Sequence, residues 1–356
     1  MRFLKTFRRG LSIFLVLATL LTLPVLAAPA PERKYIKWVD FDAPAPLMRR
    51  LIDLDIAAQV DPAAPQVHWI EALAYLSARC GGDFKKVKPA NLDKLLEALK
   101  AGKTVAELGV ELKDYPYFLE AYTAVLGGLV GEYEAETDVN GQRVWEKKYG
   151  LKAYFPLAKG FDFSDYDDFG VGRSYGYRRK HLGHDLMALT GTPVVVCESG
   201  VVEELGWNQY GGWRVGIRSF DGLRYWYYAH LRQNRPYAEG LERGDVVYAG
   251  DVIGYVGHTG YSTKENVNGV RESHLHWGLQ LVFDEAQKDG DNQIWIDLYA
   301  ITRLLQNRRS ETVRNPETKE HTRAWGYREA VPRDRFVPEP EEGTPPVSAR
   351  AALTAP

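Results

Sequence analysis

Apolar residues recur at helical spacing in the first third of the chain. The clearest case is residues 66–79, where Trp69, Leu73 and Leu76 fall on one face and predict an α-helix. Further helices are expected over 47–59, from a candidate N-cap at Asn91 to Gly102, and after Pro116. Together these segments predict a small helical domain over residues 31–135.

The pattern changes at about Val144 to short β-branched and aromatic runs separated by glycines. Closely spaced runs of this kind, with no helical pattern between them, predict an antiparallel sheet rather than βαβ units. We expect strands at 194–197, 200–203, 213–218, 224–230, 246–248, 252–255 and 275–283. With a closing helix at 297–307, the β-rich domain is predicted over 140–307, which gives an α+β protein of several domains.

The two ends of the chain differ from this globular pattern. Four cationic residues, an apolar run broken by Pro24 and small residues near Ala27 predict a signal peptide over residues 1–28. The alternative is an uncleaved anchor, because the run approaches the shortest length that spans a bilayer. Either form would place the folded part outside the cytoplasm. The charged, then proline-rich segment 308–356 is predicted to be a disordered tail.

Composition narrows the classes of function. The 356 residues have a formal net charge of -2 and no basic tract, so we expect no nucleic-acid partner. Membrane contact is expected only through the N-terminal segment, if it stays uncleaved. Cys80 and Cys197 cannot form a disulfide framework, and Cys197 follows a run of valines, which predicts a buried free thiol.

Histidines and one aspartate form an ordered set within the β-rich part. His181 and Asp185 are four residues apart, His230 ends a predicted strand, and His274 and His276 flank one leucine. Alternate residues of a strand share a face, so His274 and His276 project side by side. Nitrogen and carboxylate ligands suit zinc, and a catalytic zinc site has three protein ligands. His181, Asp185 and one histidine of the final pair meet that number, which leaves two histidines for proton transfer.

With these motifs the sequence resembles the lysostaphin-type (LytM-like) zinc endopeptidases, which cut bacterial peptidoglycan. The resemblance covers about residues 161–283. It runs through the motifs Ser174-Tyr175-Gly176, His181-x-Gly183-x-Asp185, Tyr228-Ala229-His230-Leu231, Gly257-His258-Thr259-Gly260 and His274-Leu275-His276. The resemblance implies an exported enzyme that acts on peptides of peptidoglycan.

Residue by residue, the resemblance implies one zinc per chain and a division of roles. The implied zinc ligands are His181, Asp185 and His276, and the implied catalytic histidines are His230 and His274. Tyr175 and His258 are candidate substrate contacts, and Trp277 is a weaker candidate for lining a groove. His184 is not expected as a ligand, because in a strand it points to the face opposite Asp185.

Three alternatives remain open from the sequence. A protein of this fold can be a non-catalytic scaffold or activator of another hydrolase. The helical domain can be a wall-binding or partner-binding module. The loop 264–273, longer than is usual in the family and expected to be a mobile surface segment, can select substrates or be a passive insertion.

Overall fold

Helices form the first elements of the chain that the structure describes. This computed structural model describes residues 36–332, except residues 176 and 291 and the side chains of Tyr175 and Tyr177. The predicted signal peptide at 1–28 lies outside the described residues. The first helices are α1 (Ala45–Val60), α2 (Trp69–Arg79), α3 (Pro89–Lys100), α4 (Val105–Gly109) and α5 (Tyr115–Leu126). None of the described helices is long and apolar enough to cross a membrane.

Helix caps explain where two of these helices begin. Asn91, the expected N-cap of α3, lies in its first turn instead, where its side-chain oxygen accepts the backbone N–H of Lys88 at 2.6 Å. Helix α4 was not predicted from apolar spacing. It begins at a reciprocal capping box, in which Thr104 Oγ1 accepts from the N–H of Glu107 and the Glu107 carboxylate accepts from the N–H of Thr104.

A β-hairpin follows the helices, formed by β1 (Val130–Val139) and β2 (Gln142–Leu151). Its turn is Asn140-Gly141, with φ of +57° and +82°, the left-handed conformation that matches the twist of paired strands. The predicted end of the helical segment at residue 135 is therefore inside a strand. Glutamates alternate with less polar residues along β1, and this period of two is the strand signal that the sequence analysis missed.

The rest of the chain is mostly short strands. They are β3 (Ser164–Asp165), β4 (Gly172–Tyr175), β5 (Tyr177–Lys180), β6 (His184–Met187), β7 (Pro193–Val195), β8 (Gly200–Asn208), β9 (Gly212–Ser219), β10 (Arg224–Ala229), β11 (Val246–Val247), β12 (Val252–Tyr255), β13 (His274–Leu281), β14 (Ile294–Trp295), β15 (Thr312–Arg314), β16 (His321–Arg323) and β17 (Tyr327–Arg328). Two further helices are α6 (Glu285–Lys288) and α7 (Tyr299–Leu305).

One eight-stranded sheet organises this part of the molecule. Its order is β11-β8-β9-β10-β13-β6-β3, with β14 also paired to β13. All of its pairings are antiparallel, which confirms the predicted antiparallel sheet and the α+β class. Strands β10, β13 and β6 are neighbours, so the histidine motifs that lie far apart in sequence meet on adjacent strands.

The C-terminal segment is ordered further than predicted. The expectation of a disordered tail from residue 308 is wrong for 308–332, where β15 pairs with β16 and β17 pairs with β1. Tyr327 of β17 is buried and stacks on Tyr133 of β1, with ring centroids 5.3 Å apart. An aromatic anchor of this kind compensates for a charged composition. The remainder of the predicted tail lies outside the described residues.

Helices and sheet share one hydrophobic core. A single cluster of buried side chains includes Met48, Trp69, Leu73, Tyr122, Trp226, Trp277, Leu279 and Ile301. Cys197 belongs to the same cluster as a free buried thiol, and burial raises its pKa well above the usual value. The helices are thus packed directly against the sheet that carries the histidine motifs.

A buried ion pair fastens α5 to the sheet. The Arg224 guanidinium donates two hydrogen bonds to the Glu198 carboxylate, at 2.8 and 3.1 Å, and a third to the carbonyl of Ala124 in α5 at 2.7 Å. Glu198 also accepts from the indole N–H of Trp226 at 2.8 Å. Arg224 is 1% exposed, and its other acidic partner, Asp221, is itself partly exposed. Removing Glu198 therefore leaves a buried charge that is only partly compensated.

We expect Glu198→Ala to lower the free energy of unfolding by about 3–5 kcal/mol, the usual cost of breaking a buried pair. Urea denaturation of the full chain measures the change. Glu132→Ala is the matched control, since Glu132 pairs with Lys147 at the surface, and surface pairs contribute about 0–1 kcal/mol. Equal losses in the two variants would contradict the special role assigned to the buried pair.

Candidate metal centre and active site

Adjacent strands bring the candidate ligands together. In the pairing of β13 with β6, His276 lies directly opposite Asp185. His274 lies two residues before His276 on the same strand and therefore on the same face. His181 lies in the short connection between β5 and β6, four residues before Asp185.

A glycine is required in the motif His181-x-Gly183-x-Asp185 because there is no space for a side chain at its position. A Cβ atom at Gly183 would lie 2.6 Å from Cε1 and 2.7 Å from Nε2 of His276. Real Cβ atoms do not approach other atoms so closely, so any side chain here would push the His276 ring away. Gly183 thus leaves room for the ring of His276, the third candidate ligand.

Three ligand atoms converge on one point. His181 Nε2 lies 3.0 Å from Asp185 Oδ1 and 3.0 Å from His276 Nδ1, and the last two atoms are 2.9 Å apart. One proton can bridge only two of these three atoms, whereas one metal cation can bind all three. Two imidazole nitrogens and one carboxylate oxygen form a donor set that suits zinc and leaves a fourth position open. Among the described residues, this is the group that could hold a metal ion.

The ionisation of Asp185 and His276 is consistent with a cation site, whereas at His181 burial is outweighed by the hydrogen bond and charge of Asp185, which raise the pKa of that ring. Burial alone would raise the pKa of Asp185, but hydrogen bonds from His181 and His276 outweigh it and hold the pKa well below the usual value. Burial lowers the pKa of His276 despite its bond to Asp185. An ionised carboxylate and a neutral imidazole are the forms that bind metals.

A second carboxylate orients His181. The Nδ1 atom of His181 lies 2.9 Å from Asp168 Oδ1, so the ring can donate there while Nε2 faces the other ligands. Arg173 forms an ion pair with Asp168 and another with Asp185, the latter at 3.2 Å. Neither Asp168 nor Arg173 was among the site residues predicted from the sequence.

We expect Asp168→Asn to weaken zinc binding by about 10-fold to 100-fold, the usual effect of removing a hydrogen bond to a metal-binding histidine. Competition with a chromophoric chelator measures the affinity. Asp167→Asn removes the neighbouring exposed charge and should leave the affinity unchanged. Equal affinities of Asp168→Asn and the natural protein would mean that His181 needs no orienting carboxylate.

The two remaining histidines have fixed ring orientations. His230 Nδ1 lies 2.7 Å from the carbonyl of Thr259, and His274 Nδ1 lies 2.8 Å from the carbonyl of Glu272. A carbonyl only accepts, so each ring carries its proton on Nδ1 and keeps Nε2 for chemistry. The two rings are 4.7 Å apart between centroids, and His274 Nε2 lies 3.7 Å from Asp185 Oδ1.

The backbone of His230 is unusual. Its φ is +59°, a left-handed conformation that is uncommon outside glycine and that clusters at functional sites. Burial, followed by the neighbouring His274 and His276, lowers the pKa of His230 well below its usual value. His230 is therefore neutral near pH 7.

The other predicted residues lie elsewhere. His258 contacts the carbonyl of Val270 at 2.9 Å and is not among the described residues that line the cleft, and its substrate contact stays a prediction. Trp277 is buried and stacks on Trp226 at 5.4 Å, which corrects its expected place in a groove. His184 points away from the ligands and bonds to Asp165, as expected from strand alternation. The side chain of Tyr175 lies outside the described residues.

A cleft of about 720 Å³ contains the site. Its described lining includes His181, Asp185, His230, His274, His276, Arg179, Tyr210, Tyr227, Tyr261, Arg271 and Trp295. The loop 264–273 contributes to its rim and is more fixed than predicted. Asn266 Oδ1 accepts from the indole N–H of Trp213 at 2.9 Å and from the backbone N–H of Asn234 at 2.9 Å, and Val270 is buried.

Residues 179–289 match peptidase family M23. The L-Ala–D-Glu endopeptidase of Bacillus subtilis (strain 168) is 42% identical over 125 residues, which cover 35% of this chain and 37% of that protein. Lysostaphin of Staphylococcus simulans is 38% identical over 89 residues, which cover 25% of this chain and 17% of that protein. A LytM crystal structure from Ruminococcus gnavus is 26% identical, covers 75% of this chain and 90% of that one, and has a TM-score of 0.48.

The matches to the two sequence relatives thus span well under two thirds of their own length. The matched segment 179–289 nevertheless contains the whole constellation, namely His181, Asp185, His230, His274 and His276. Residues 179–289 of this chain are therefore similar to peptidase family M23, in agreement with the resemblance to the lysostaphin-type (LytM-like) peptidases.

Proposed function

We propose that this protein is an exported, zinc-dependent endopeptidase that hydrolyses peptide bonds in bacterial peptidoglycan. The observation that carries the proposal is the meeting, in one cleft, of a complete ligand triangle with two histidines whose Nδ1 atoms are held by carbonyls. The names of the relatives, an L-Ala–D-Glu endopeptidase and lysostaphin, support a peptide of the cell wall as the substrate. The N-terminal signal pattern supports action outside the cytoplasm.

His181, Asp185 and His276 would hold one zinc ion per chain. When bound, zinc supplies a Lewis acid that polarises the scissile carbonyl and brings the pKa of water to about 7. Asp168 keeps His181 in the tautomer that leaves Nε2 free for coordination. Arg173 pairs with both carboxylates and so limits the movement of Asp185.

His274 is the candidate for receiving the proton of the attacking water. His274 lies on the same face of β13 as His276. Its Nε2 atom is 3.7 Å from Asp185 Oδ1, so the nitrogen without a proton faces the candidate metal position, as proton transfer from a bound water requires. His230 would hydrogen-bond the developing oxyanion or protonate the leaving amine. Either role requires a proton on Nε2. Because the pKa of His230 is depressed, the ring starts neutral, and the proton that His274 takes from the water would be the one passed on to it.

A non-catalytic scaffold of the same fold is the competing hypothesis. A scaffold requires neither a convergent ligand triangle nor histidines with oriented Nε2 atoms, and both are present here. The complete constellation therefore favours the enzyme.

Digestion of purified peptidoglycan by the full chain tests the proposal. The zinc-loaded protein should release fragments with new peptide amino termini, identified by mass spectrometry, and leave the glycan bonds intact. Chelation should stop the release, and added zinc should restore it. Cleavage of glycan bonds, or no new peptide ends from the zinc-loaded protein, would contradict the proposal.

A further inference from the structure

Arg179 has an unusual position in the cleft. It lies on β5, two residues before the ligand His181, and its Cζ is 4.9 Å from the ring centroid of Tyr210 and 4.9 Å from that of Tyr261. One of its terminal nitrogens donates a hydrogen bond to the hydroxyl of Tyr261 at 2.7 Å. Two rings and one hydrogen bond therefore fix the plane of the guanidinium.

The other terminal nitrogen of Arg179 is unsatisfied. Its Nη1 atom is buried and has no hydrogen-bond partner among the described residues. Buried donors are nearly always paired in native proteins, so such an exception needs an explanation. A guanidinium held flat with free N–H groups is suited to a planar anion such as a carboxylate.

Other cationic side chains of the cleft are already neutralised or exposed. Those with acidic partners are Arg173 with Asp168 and Asp185, Arg214 with Glu204, and Lys288 with Glu203. Lys180 and Arg271 are exposed, and water and salt screen charges in such positions. Arg179 therefore combines partial burial, fixed orientation and unused donors.

Tyr261 connects this arginine to the catalytic histidines. Its ring contacts the ring of His230 edge-on, with centroids 5.8 Å apart, and its φ of +48° is a strained conformation for a bulky residue. The structure thus accepts backbone strain where the tyrosine lies between Arg179 and His230. An extended peptide advances about 3.3–3.6 Å per residue, so a group bound at Arg179 lies within about three residues of the bond at His230.

We propose that Arg179 is a carboxylate-binding subsite that selects acidic peptides over uncharged ones. The inference rests on the proposed function. The subsite predicts that the preferred substrates are peptides with a free carboxylate within about three residues of the cleaved bond. Cross-bridges made only of glycine are predicted to be poorer substrates. The carboxylate can belong to an acidic residue or to the C-terminus of the peptide.

Four synthetic wall peptides of one sequence test the proposal, with the acidic residue as acid or amide and the C-terminus as acid or amide. The zinc-loaded full chain should cleave the preferred acid about 10-fold to 100-fold faster in kcat/KM than its amide, the range for a charge-assisted bidentate contact. Arg179→Gln should reduce the preference to near unity by slowing only the acid. Arg179→Lys should lose most of it, because lysine lacks the planar fork. The amide that removes the preference identifies which carboxylate is bound.

Arg178→Gln is the matched control. Arg178 is the exposed neighbour of Arg179 on the same strand and is not among the described residues lining the cleft, so this variant removes the same charge and should keep the preference. Equal rates on acid and amide in the natural protein, or a preference that survives Arg179→Gln, would overturn the inference.

Calorimetric binding of the same peptides separates the two proposals. If no wall peptide is hydrolysed but acids bind about 10-fold more tightly than amides through Arg179, the proposed activity fails and the subsite stands. If peptides are hydrolysed and bound without regard to the carboxylate, the activity stands and the subsite fails.

Discussion

Replacing His276 with alanine should remove zinc from the protein and leave its fold in place. His276 contributes one of three convergent ligand atoms, and two protein ligands are fewer than the three that catalytic zinc sites use. Zinc per chain, measured by elemental analysis after gel filtration, should fall from about one to near zero. Hydrolysis of wall peptides should fall with it.

A histidine outside the site provides the control for this loss. His68 is exposed just before α2 and makes no side-chain capping bond, so His68→Ala should keep both zinc and activity. The circular dichroism of His276→Ala should retain the helical signal, because the helices pack in a core that does not include His276. Full zinc content in a folded His276→Ala protein would show that the ligand set is wrong.

The placement of His274 and His276 on one face was predictable from sequence because strand alternation is a local property. Alternation along a strand fixes His274 and His276 on one face, and a strand signal is visible in the apolar residues that follow them. Which strand lies beside β13 is not a local property. The family resemblance supplied a candidate ligand set but no strand order, and the structure shows the direct pairing of His276 with Asp185.

Residues supplied by loops were not predictable in the same way. Asp168 and Tyr261 reach the site from connecting segments, whose paths depend on tertiary contacts rather than on periodicity. The unsatisfied nitrogen of Arg179 is likewise visible only once its neighbours are placed. The sequence offers a run of cationic residues there, and such runs are usually solvated.

The errors in the fold have a common cause. Strand β1 was assigned to the helical domain and β17 to a disordered tail, although Asn140-Gly141 is a strong hairpin signal. Both strands are charged on the outside and stabilise each other through Tyr133 and Tyr327. Composition measures the average polarity of a segment, whereas the stability of the small sheet formed by β17, β1 and β2 depends on a few buried aromatic rings.

The second large effect is expected from His274 and His230, the two candidates for proton transfer. His274→Ala and His230→Ala should keep about one zinc per chain, because neither residue contributes an atom to the ligand triangle. Each should lower kcat by about 10²-fold or more, the scale of acid–base catalysis. Single-turnover hydrolysis of a wall peptide, with zinc measured on the same samples, provides both values.

The positive φ of His230 requires a second variant at that position. Alanine at a φ of +59° adds backbone strain, which could lower the rate by moving the loop rather than by removing the imidazole. Asparagine tolerates this conformation but cannot transfer protons near neutral pH. If the chemistry belongs to the ring, His230→Asn should be as slow as His230→Ala while unfolding at the temperature of the natural protein. A fast His230→Asn enzyme, or loss of zinc in either His230 variant, would instead assign this histidine to the structure of the site.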